Sequence, residues 1–391
     1  MNSIYLDHAA TTALRPEVFE ALRPLLTEHF GNPSSVHRWG REARALLEAA
    51  RDQVAAALGA QRREIVFTSG GTEADNLAVL GAARALGTRR CRVIISAVEH
   101  KAVIGAARQA ALEGAELVLL SVDQDGTVDL DSLEHALPAD SQNTPTVCAV
   151  MWGNNEVGTL QPVLEIAELC RSAGVRFHTD AVQAFGRVPV RVADVRCSTL
   201  AISGHKIGAP KGVGALYVRA GNTPAAMQHG GGQERALRPG TENVPGIVAL
   251  GVAAELAVQE LKQETARLQT LRDQLQNQLC AQIPNVVVNG GRAARLPHIL
   301  NISLADVDQE AVLIAMDLEG IAISSGSACQ SGSVEASHVL TAMGRSQSGE
   351  ASIRFSLGRG TGAADITEVV ERLPRVVERL RSDRLATSGV S

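Results

Sequence analysis

From about residue 64 onward, short runs of β-branched and apolar residues alternate with alanine-rich helical patterns, and few folds accommodate this alternation. Stretches such as 76–86 and 163–173 are rich in alanine and have the pattern of helices. They separate apolar runs with the length and composition of buried strands. These runs lie at 64–68, 92–96, 116–120, 147–151 and 175–179. The alternation predicts a mostly parallel sheet with helices on both faces.

Two further strand-like runs, 198–203 and 213–218, follow each other across a Gly- and Pro-rich turn and predict a hairpin. We therefore expect a seven-stranded sheet in a large α/β domain over residues 15–258. Apolar spacing over 245–283 predicts a long helix or a kinked pair. Beyond it, residues 259–391 are expected to form a smaller α+β domain. Its predicted strands are 286–288, 299–304, 321–323 and 352–356, and its predicted helices are 309–318 and 365–381.

Charge and cysteine spacing narrow the classes of function. The chain carries 37 Lys and Arg against 42 Asp and Glu, so its formal net charge is −5, and no basic run stands out. Nucleic acid is therefore not an expected partner. No stretch of about 18 residues is free of charge, and the beginning of the sequence lacks the pattern of a secretory leader. Together with six widely spaced cysteines, this predicts a cytosolic protein with free thiols.

The segment 68–76 has the composition of a phosphate-binding turn. It follows a predicted strand, contains Gly70 and Gly71, and opens a helix with Thr72. Free backbone N–H groups, hydroxyls and the positive helix end would together hold a phosphate. The segment matches neither nucleotide-binding glycine pattern, so a nucleoside triphosphate or dinucleotide is not expected. An ordinary strand-to-helix turn remains the alternative.

Two further polar segments follow predicted strands of the same sheet. Asp180, with Gln183 beside it, lies where side chains reach the ligand crevice of an open α/β sheet, although it could equally cap the next helix. Lys206 lies among glycines and a proline after the next strand, where a lysine with a lowered pKa could bond to a carbonyl. A solvated lysine is the alternative. A phosphate cradle, a ring-nitrogen partner and an amine are what pyridoxal phosphate requires, and their coincidence indicates that cofactor.

Two segments nearer the end of the sequence suggest substrate chemistry. Cys329 lies in a Ser- and Gly-rich stretch whose composition suits an exposed, reactive thiol. Cys148, Cys170 and Cys280 lie in apolar strand or helix patterns, so we expect them to be buried and inert. Arg354 lies in an alternating strand and could grip a carboxylate with two hydrogen bonds, or else face solvent.

Taken together, the motifs resemble those of the cysteine desulfurases of the iron–sulfur-cluster and nitrogenase-associated type, a family of pyridoxal-phosphate enzymes within the class V aminotransferases. The match extends in order along nearly the whole chain. The matching segments are 5–12, 31–35, 71–73, 99–101, 154–158, those around Asp180 and Lys206, 238–243, 325–329 and 354–356. The Ser-Gly-Ser-Ala-Cys loop is specific to the desulfurases with the longer cysteine loop.

The resemblance implies a fold-type I aminotransferase-like homodimer in which residues 1–14 join the small domain. It implies that Lys206 binds the cofactor covalently, that Cys329 receives sulfur, and that His100 stacks on the ring and moves protons. It implies no resident metal, only a transient contact of Cys329 with an iron–sulfur cluster. The implied cofactor-binding residues are Gly71, Thr72, His100, Asp180, Gln183, Ser203, His205, Lys206 and Thr241, the last from a second subunit, and the implied substrate-binding residues are Asn32, Asn155 and Arg354.

The implied reaction converts L-cysteine to L-alanine and leaves a persulfide on Cys329 for delivery to a sulfur-acceptor or scaffold protein. Two alternatives remain open at this point. A selenocysteine lyase or an aminotransferase could use the same fold, although an aminotransferase needs no loop cysteine. A catalytically idle relative that binds a partner would have no chemical need for Lys206, Asp180, His100 and Arg354 together with Cys329.

Overall fold

The computed structural model describes residues 3–326, 337–345 and 350–388. The helices are α1 Pro16–Thr27, α2 Arg38–Leu58, α3 Gly71–Leu86, α4 Lys101–Leu112, α5 Leu130–Ala136, α6 Val163–Ser172, α7 Val192–Val195, α8 Val244–Gln259, α9 Leu261–Gln282, α10 Gln309–Leu318, α11 His338–Ala342 and α12 Ala363–Ser388. The strands are β1 Ile4–Tyr5, β2 Ile65–Thr68, β3 Arg92–Ser96, β4 Glu116–Leu120, β5 Thr146–Ala149, β6 Arg176–Asp180, β7 Thr199–Ser203, β8 Gly214–Val218, β9 Val286–Val288, β10 Ile299–Ala305, β11 Ile321–Ala322 and β12 Glu350–Ser356.

The predicted seven-stranded sheet is confirmed. Its strands lie in the order β2-β8-β7-β6-β5-β3-β4. Strands β7, β6, β5, β3 and β4 are parallel to one another, whereas β8 is antiparallel to both β7 and β2. The predicted hairpin is therefore the β7–β8 pair. Every residue of β2, β5, β7 and β8 is buried, which explains why these strands are continuous apolar runs without alternation.

Helices α1 and α2, which the strand–helix alternation does not include, precede the sheet. Both pack against α8, whose buried face includes Ile247, Leu250 and Ala254. Gly59 directly follows α2, has a φ of 68°, and donates its backbone N–H to the carbonyl of Ala55. Glycine adopts this left-handed conformation without a steric penalty and so closes the helix.

Helices α8 and α9 are the kinked pair that the sequence predicts. They meet at Glu260 and are bent by 71°. Within the described ranges, no single helix is long and apolar enough to cross a membrane, and only this bent pair passes that test, by length and composition alone.

A second hydrophobic core surrounds a three-stranded antiparallel sheet in the order β12-β10-β9. Apolar residues of α9, α10 and α12 pack on it, and so do Ile4 and Leu6. Strand β1 is also parallel to β11, so residues near the beginning of the sequence pair with residues more than 300 positions later. The domain boundaries predicted at residues 14/15 and 258/259 stay predictions.

The expectation that Cys280 is buried is wrong. Cys148 and Cys170 are buried, but Cys280 is exposed. The buried positions of α9 include Leu275 and Leu279. Cys280 follows Leu279 directly and so lies about 100° further around the helix.

Candidate active site

A cavity of about 610 Å³ opens at the carboxyl ends of β6 and β7, beside the start of α3. Parallel strands bring their carboxyl ends to one edge of a sheet, which is where open α/β sheets bind ligands. Most of the residues singled out in the sequence meet there. The lining includes Gly71, Thr72, His100, Asn155, Asp180, Gln183, Ser203, His205, Lys206 and Arg354.

The start of α3 and the end of β7 form the polar end of this cavity. The first backbone N–H groups of α3 have no acceptor within the helix. A Cβ on Gly71 would lie 2.8 Å from Cγ2 of Val182, so glycine lets α3 start directly against the turn that follows β6. Ser203 ends β7 and adds a hydroxyl, and burial lowers the pKa of nearby His205 to about 4. This donor set suits a phosphate.

Asp180 lies at the end of β6 and is buried. One of its carboxylate oxygens accepts the backbone N–H of Val182 at 2.8 Å, so it supports a turn instead of capping a helix. Burial raises the pKa of Asp180, while His100 and Lys206 oppose that shift. A cation in the cavity would stabilise the charged carboxylate, as a protonated ring nitrogen does. Gln183 donates its side-chain N–H to the carbonyl of Ala9 at 2.9 Å.

Lys206 ends a 3₁₀ turn that directly follows β7. Its Nζ donates to the carbonyls of Ala9 and Ala10, at 2.5 and 2.7 Å. Burial, and then the charge of Arg354, lower the pKa of Lys206 to about 8. About a tenth of this side chain is therefore a neutral amine at pH 7, and this is the form that attacks a carbonyl or accepts a proton.

His100 caps the start of α4. Its Nδ1 accepts the backbone N–H of Ala102 at 3.2 Å. This bond orients the ring, which lines the cavity. Burial of the His100 ring lowers its pKa, whereas the negative charge of Asp180 acts to raise it. Because Nδ1 accepts the bond from Ala102, the neutral ring carries its proton on Nε2, which can donate a hydrogen bond.

Arg354 lies on β12 and only 4% of it is exposed. It donates to Oδ1 of Asp7 at 2.7 Å and to the carbonyl of Asn155 at 2.8 Å. Its Nε is buried and has no hydrogen-bond partner among the described residues. A carboxylate in the cavity would find a cation here that is already fixed in place.

Asn32 and Thr241 do not line the cavity within one chain. Asn32 is exposed, and its side-chain oxygen accepts the backbone N–H of Ser34. Thr241 is also exposed, in the loop before α8. The predicted roles of both residues stay predictions.

Cys329 lies outside the described residues. The segments on either side of 327–336 both meet Glu156. Ser337 donates its hydroxyl to Oε2 of Glu156 at 2.6 Å, and a Cβ on Gly326 would lie 3.3 Å from Cβ of Glu156. Ser324, Ser325 and Gly326 line the cavity. The described chain preceding Cys329 thus ends at the cavity.

The sequence gives no role to three acidic residues that the structure places at the site. Asp7 pairs with Arg354, although the two lie 347 positions apart. Asp75 lines the cavity and is buried, and Glu99 is buried beside His100. Burial raises the pKa of Glu99 to about 8. The position of Asp75, one turn after Gly71 in the same helix, is a sequence signal that could have identified it.

Comparison with known proteins agrees with this geometry. The family model described as aminotransferase class-V matches residues 4–369. A curated relative named cysteine desulfurase IscS, from Dictyoglomus turgidum, is 46% identical over 380 residues, which cover 97% of this chain and 95% of the relative.

Two solved structures extend the comparison. A NifS-like protein superimposes with a TM-score of 0.89 at 32% identity, and the match covers 97% of this chain and 100% of that one. A structure described as SspA in complex with cysteine has a TM-score of 0.79 at 33% identity, and covers 91% of this chain and 99% of that one. The chain therefore belongs to the class-V aminotransferase family, in the branch of the cysteine desulfurases.

Proposed function

We propose that this enzyme is a cysteine desulfurase that converts L-cysteine to L-alanine and transfers the sulfur to Cys329 as a persulfide. The relative from Dictyoglomus turgidum is named a cysteine desulfurase, and the SspA structure is described as a complex with cysteine. One observation carries the proposal for this chain. Lys206, Asp180 and Arg354 line one cavity, and the described chain preceding Cys329 ends at its wall.

The residues of the cavity fit pyridoxal 5'-phosphate. Gly71, Thr72, Ser203 and His205 would hold its phosphate, and Asp180 its ring nitrogen. Gln183 would donate to its hydroxyl, His100 would stack on its ring, and Lys206 would hold it covalently. When bound, the cofactor supplies a carbonyl carbon for amines and a sink for the electrons released at the substrate Cα.

Residues of the chain perform the remaining steps. Arg354 and Asn155 bind the substrate carboxylate, and neutral Lys206 removes the proton from Cα. The Cys329 thiolate then attacks the substrate sulfur, the C–S bond breaks, and its electron pair remains on Cβ, which is protonated. Alanine leaves, and the thiol of Cys329 has become a persulfide. No external oxidant is required, because the substrate carbon is reduced as the sulfur is oxidised.

A second copy of the chain would complete the phosphate end of the cavity with its Thr241. Arg238, three residues earlier, donates from Nε to Oε1 of Glu73 at 3.0 Å, which holds this loop beside the start of α3. The exposed position of Thr241 suits a contact between subunits. We further infer that an acceptor protein takes the sulfur from Cys329 and that the enzyme works in the cytosol.

Incubation of the cofactor-loaded protein with L-cysteine and a thiol reductant is expected to yield alanine and sulfide in equal amounts. The reductant releases sulfide from the persulfide on Cys329 and so returns the thiol for another turnover. L-Serine, which lacks sulfur, serves as the control and is expected to yield no alanine. Absence of alanine from L-cysteine with fully loaded protein would contradict the proposed function.

The attachment of pyridoxal phosphate to cofactor-free protein is expected to accelerate as the pH rises through 8. Because the pKa of Lys206 is lowered to about 8, its neutral fraction increases with pH over this range. The increase from pH 7 to pH 9 is about tenfold. The rate is measured by absorbance, with a free lysine side-chain amine as the reference. Arg354→Gln removes the neighbouring positive charge and is expected to move the midpoint to higher pH, and an unchanged midpoint would contradict the assigned cause.

A further inference from the structure

Behind the cavity, three buried side chains form a continuous chain of hydrogen bonds. Oδ1 of Asp75 lies 3.2 Å from Nε2 of His178, and Nδ1 of His178 lies 3.0 Å from Oγ1 of Thr199. All three residues are at least 96% buried. A buried polar chain with every member paired fixes its side chains in one arrangement.

This chain connects the two elements that the cofactor would bridge. Asp75 lies on α3, four residues after Gly71, and therefore above it on the same face of the helix. His178 and Asp180 lie two residues apart on β6 and so project from the same face of the sheet. Ligand atoms of Asp75, Asp180 and His100 all lie within 4.8 Å of one another. The contact between Asp75 and His178 thus ties the start of α3 to the end of β6.

The charges around Asp75 favour a neutral contact. Burial, and then the carboxyls of Asp180 and Glu99, raise its pKa well above the usual range. Burial lowers the pKa of His178 to about 3, so this ring is neutral. The charges of His100 and Lys206, which line the same cavity, act on the carboxyl of Asp180 in the opposite direction to burial. In the neutral arrangement that these directions favour, the Asp75 carboxyl would donate its proton to Nε2, and Nδ1–H would donate to Thr199.

We propose that Asp75 is a positioning residue that, through His178, sets the distance between the phosphate end of the cavity on α3 and Asp180 on β6. The inference rests on the cofactor positions given under the proposed function. A ligand that is held at both of its ends binds more tightly when the two protein groups that hold it are already correctly spaced. The protein then loses less conformational entropy on binding. The phosphate and the ring nitrogen of the cofactor are such a pair of ends.

Two ligands test this role. Pyridoxal phosphate contacts both the phosphate end of the cavity and Asp180, whereas pyridoxal lacks the phosphate, so a change in the spacing of the two ends weakens the binding of pyridoxal phosphate more than that of pyridoxal. In Asp75→Leu, which cannot hydrogen-bond to His178, the dissociation constant of pyridoxal phosphate is expected to rise about tenfold. That of pyridoxal, which engages only the ring end, is expected to change less than about threefold. Asp75→Asn keeps a donor to Nε2 and is expected to keep both constants within about twofold of wild type. Both constants are measured by absorbance titration of the cofactor-free protein.

Several outcomes would overturn the proposal. An equal loss for both ligands in Asp75→Leu, unchanged binding, or failure of Asp75→Asn to restore binding each contradicts a role in spacing. Circular dichroism checks that the variants fold. If Asp75→Leu does not fold, His178→Phe is the second variant, because it removes the ring nitrogen that contacts Asp75. An unchanged preference for pyridoxal phosphate in His178→Phe overturns the proposal. A wild-type protein with no such preference would instead contradict the assigned phosphate end.

Discussion

Lys206→Ala is expected to form no alanine from L-cysteine, with kcat lowered by at least about 10³-fold. The substitution removes the amine that would hold the cofactor and the base that would remove the Cα proton. No other lysine lines the described cavity, so no neighbouring side chain of this kind replaces it. Alanine formation and the visible absorbance of the cofactor-loaded protein are measured together, and both are expected to be lost.

Two variants control this experiment. Lys206→Arg keeps a positive charge at the same place but cannot provide a neutral amine, so it is expected to be as inactive as Lys206→Ala. Lys211→Ala removes an exposed lysine five positions later and is expected to match wild type. Retained turnover in either Lys206 variant would contradict its assignment.

Cys329→Ala is expected to release less than about one hundredth of the wild-type sulfide while it keeps the cofactor absorbance. The variant lacks the thiolate proposed to break the C–S bond, whereas no residue assigned to the cofactor changes. Sulfide release and absorbance of the purified variant are measured at equal cofactor loading. The loss of one signal with retention of the other distinguishes a missing nucleophile from a damaged fold.

Cys280→Ala provides the matched control for this variant. Cys280 is the exposed one among the described cysteines, and it does not line the cavity. The substitution therefore removes an accessible thiol away from the cavity. We expect it to release sulfide at the wild-type rate. Normal turnover by Cys329→Ala, or an equal loss in Cys280→Ala, would contradict the role of Cys329.

The sequence predicts the large sheet well because its strands are short, buried and β-branched. Strands β3 and β4 have the predicted bounds, and the other strands of this sheet are displaced by at most two residues at either end. The hairpin pattern predicts that β7 and β8 are neighbours, but no local pattern indicates that β2 pairs with the other side of β8, so that pairing comes only from the structure. The exposure of Cys280 was missed for a related reason, because a helical pattern does not by itself say which face is covered.

The candidate site was predictable where its residues follow strands of one sheet. Asp180 and Lys206 meet because the ends of β6 and β7 are adjacent. The partner of Arg354 was not predictable, because Asp7 lies outside the helices and strands and no periodicity connects it to β12. Asn32 and Thr241 could not be placed at the cavity from a single chain, and their roles stay predictions.

The contacts of residues 4–12 also determine when the catalytic centre can form during folding. Strand β1 pairs with β11, Asp7 pairs with Arg354, and Ala9 and Ala10 accept hydrogen bonds from Lys206. Contacts that join such distant parts of a chain close long loops and form late. On a ribosome, the large sheet can form while residues 4–12 still lack β11 and β12. Gln183 and His205 also hold residues 9–12, so the carbonyls of Ala9 and Ala10 can reach Lys206 before β12 is synthesised. The ion pair of Asp7 with Arg354, in contrast, forms only after nearly the whole chain has been synthesised.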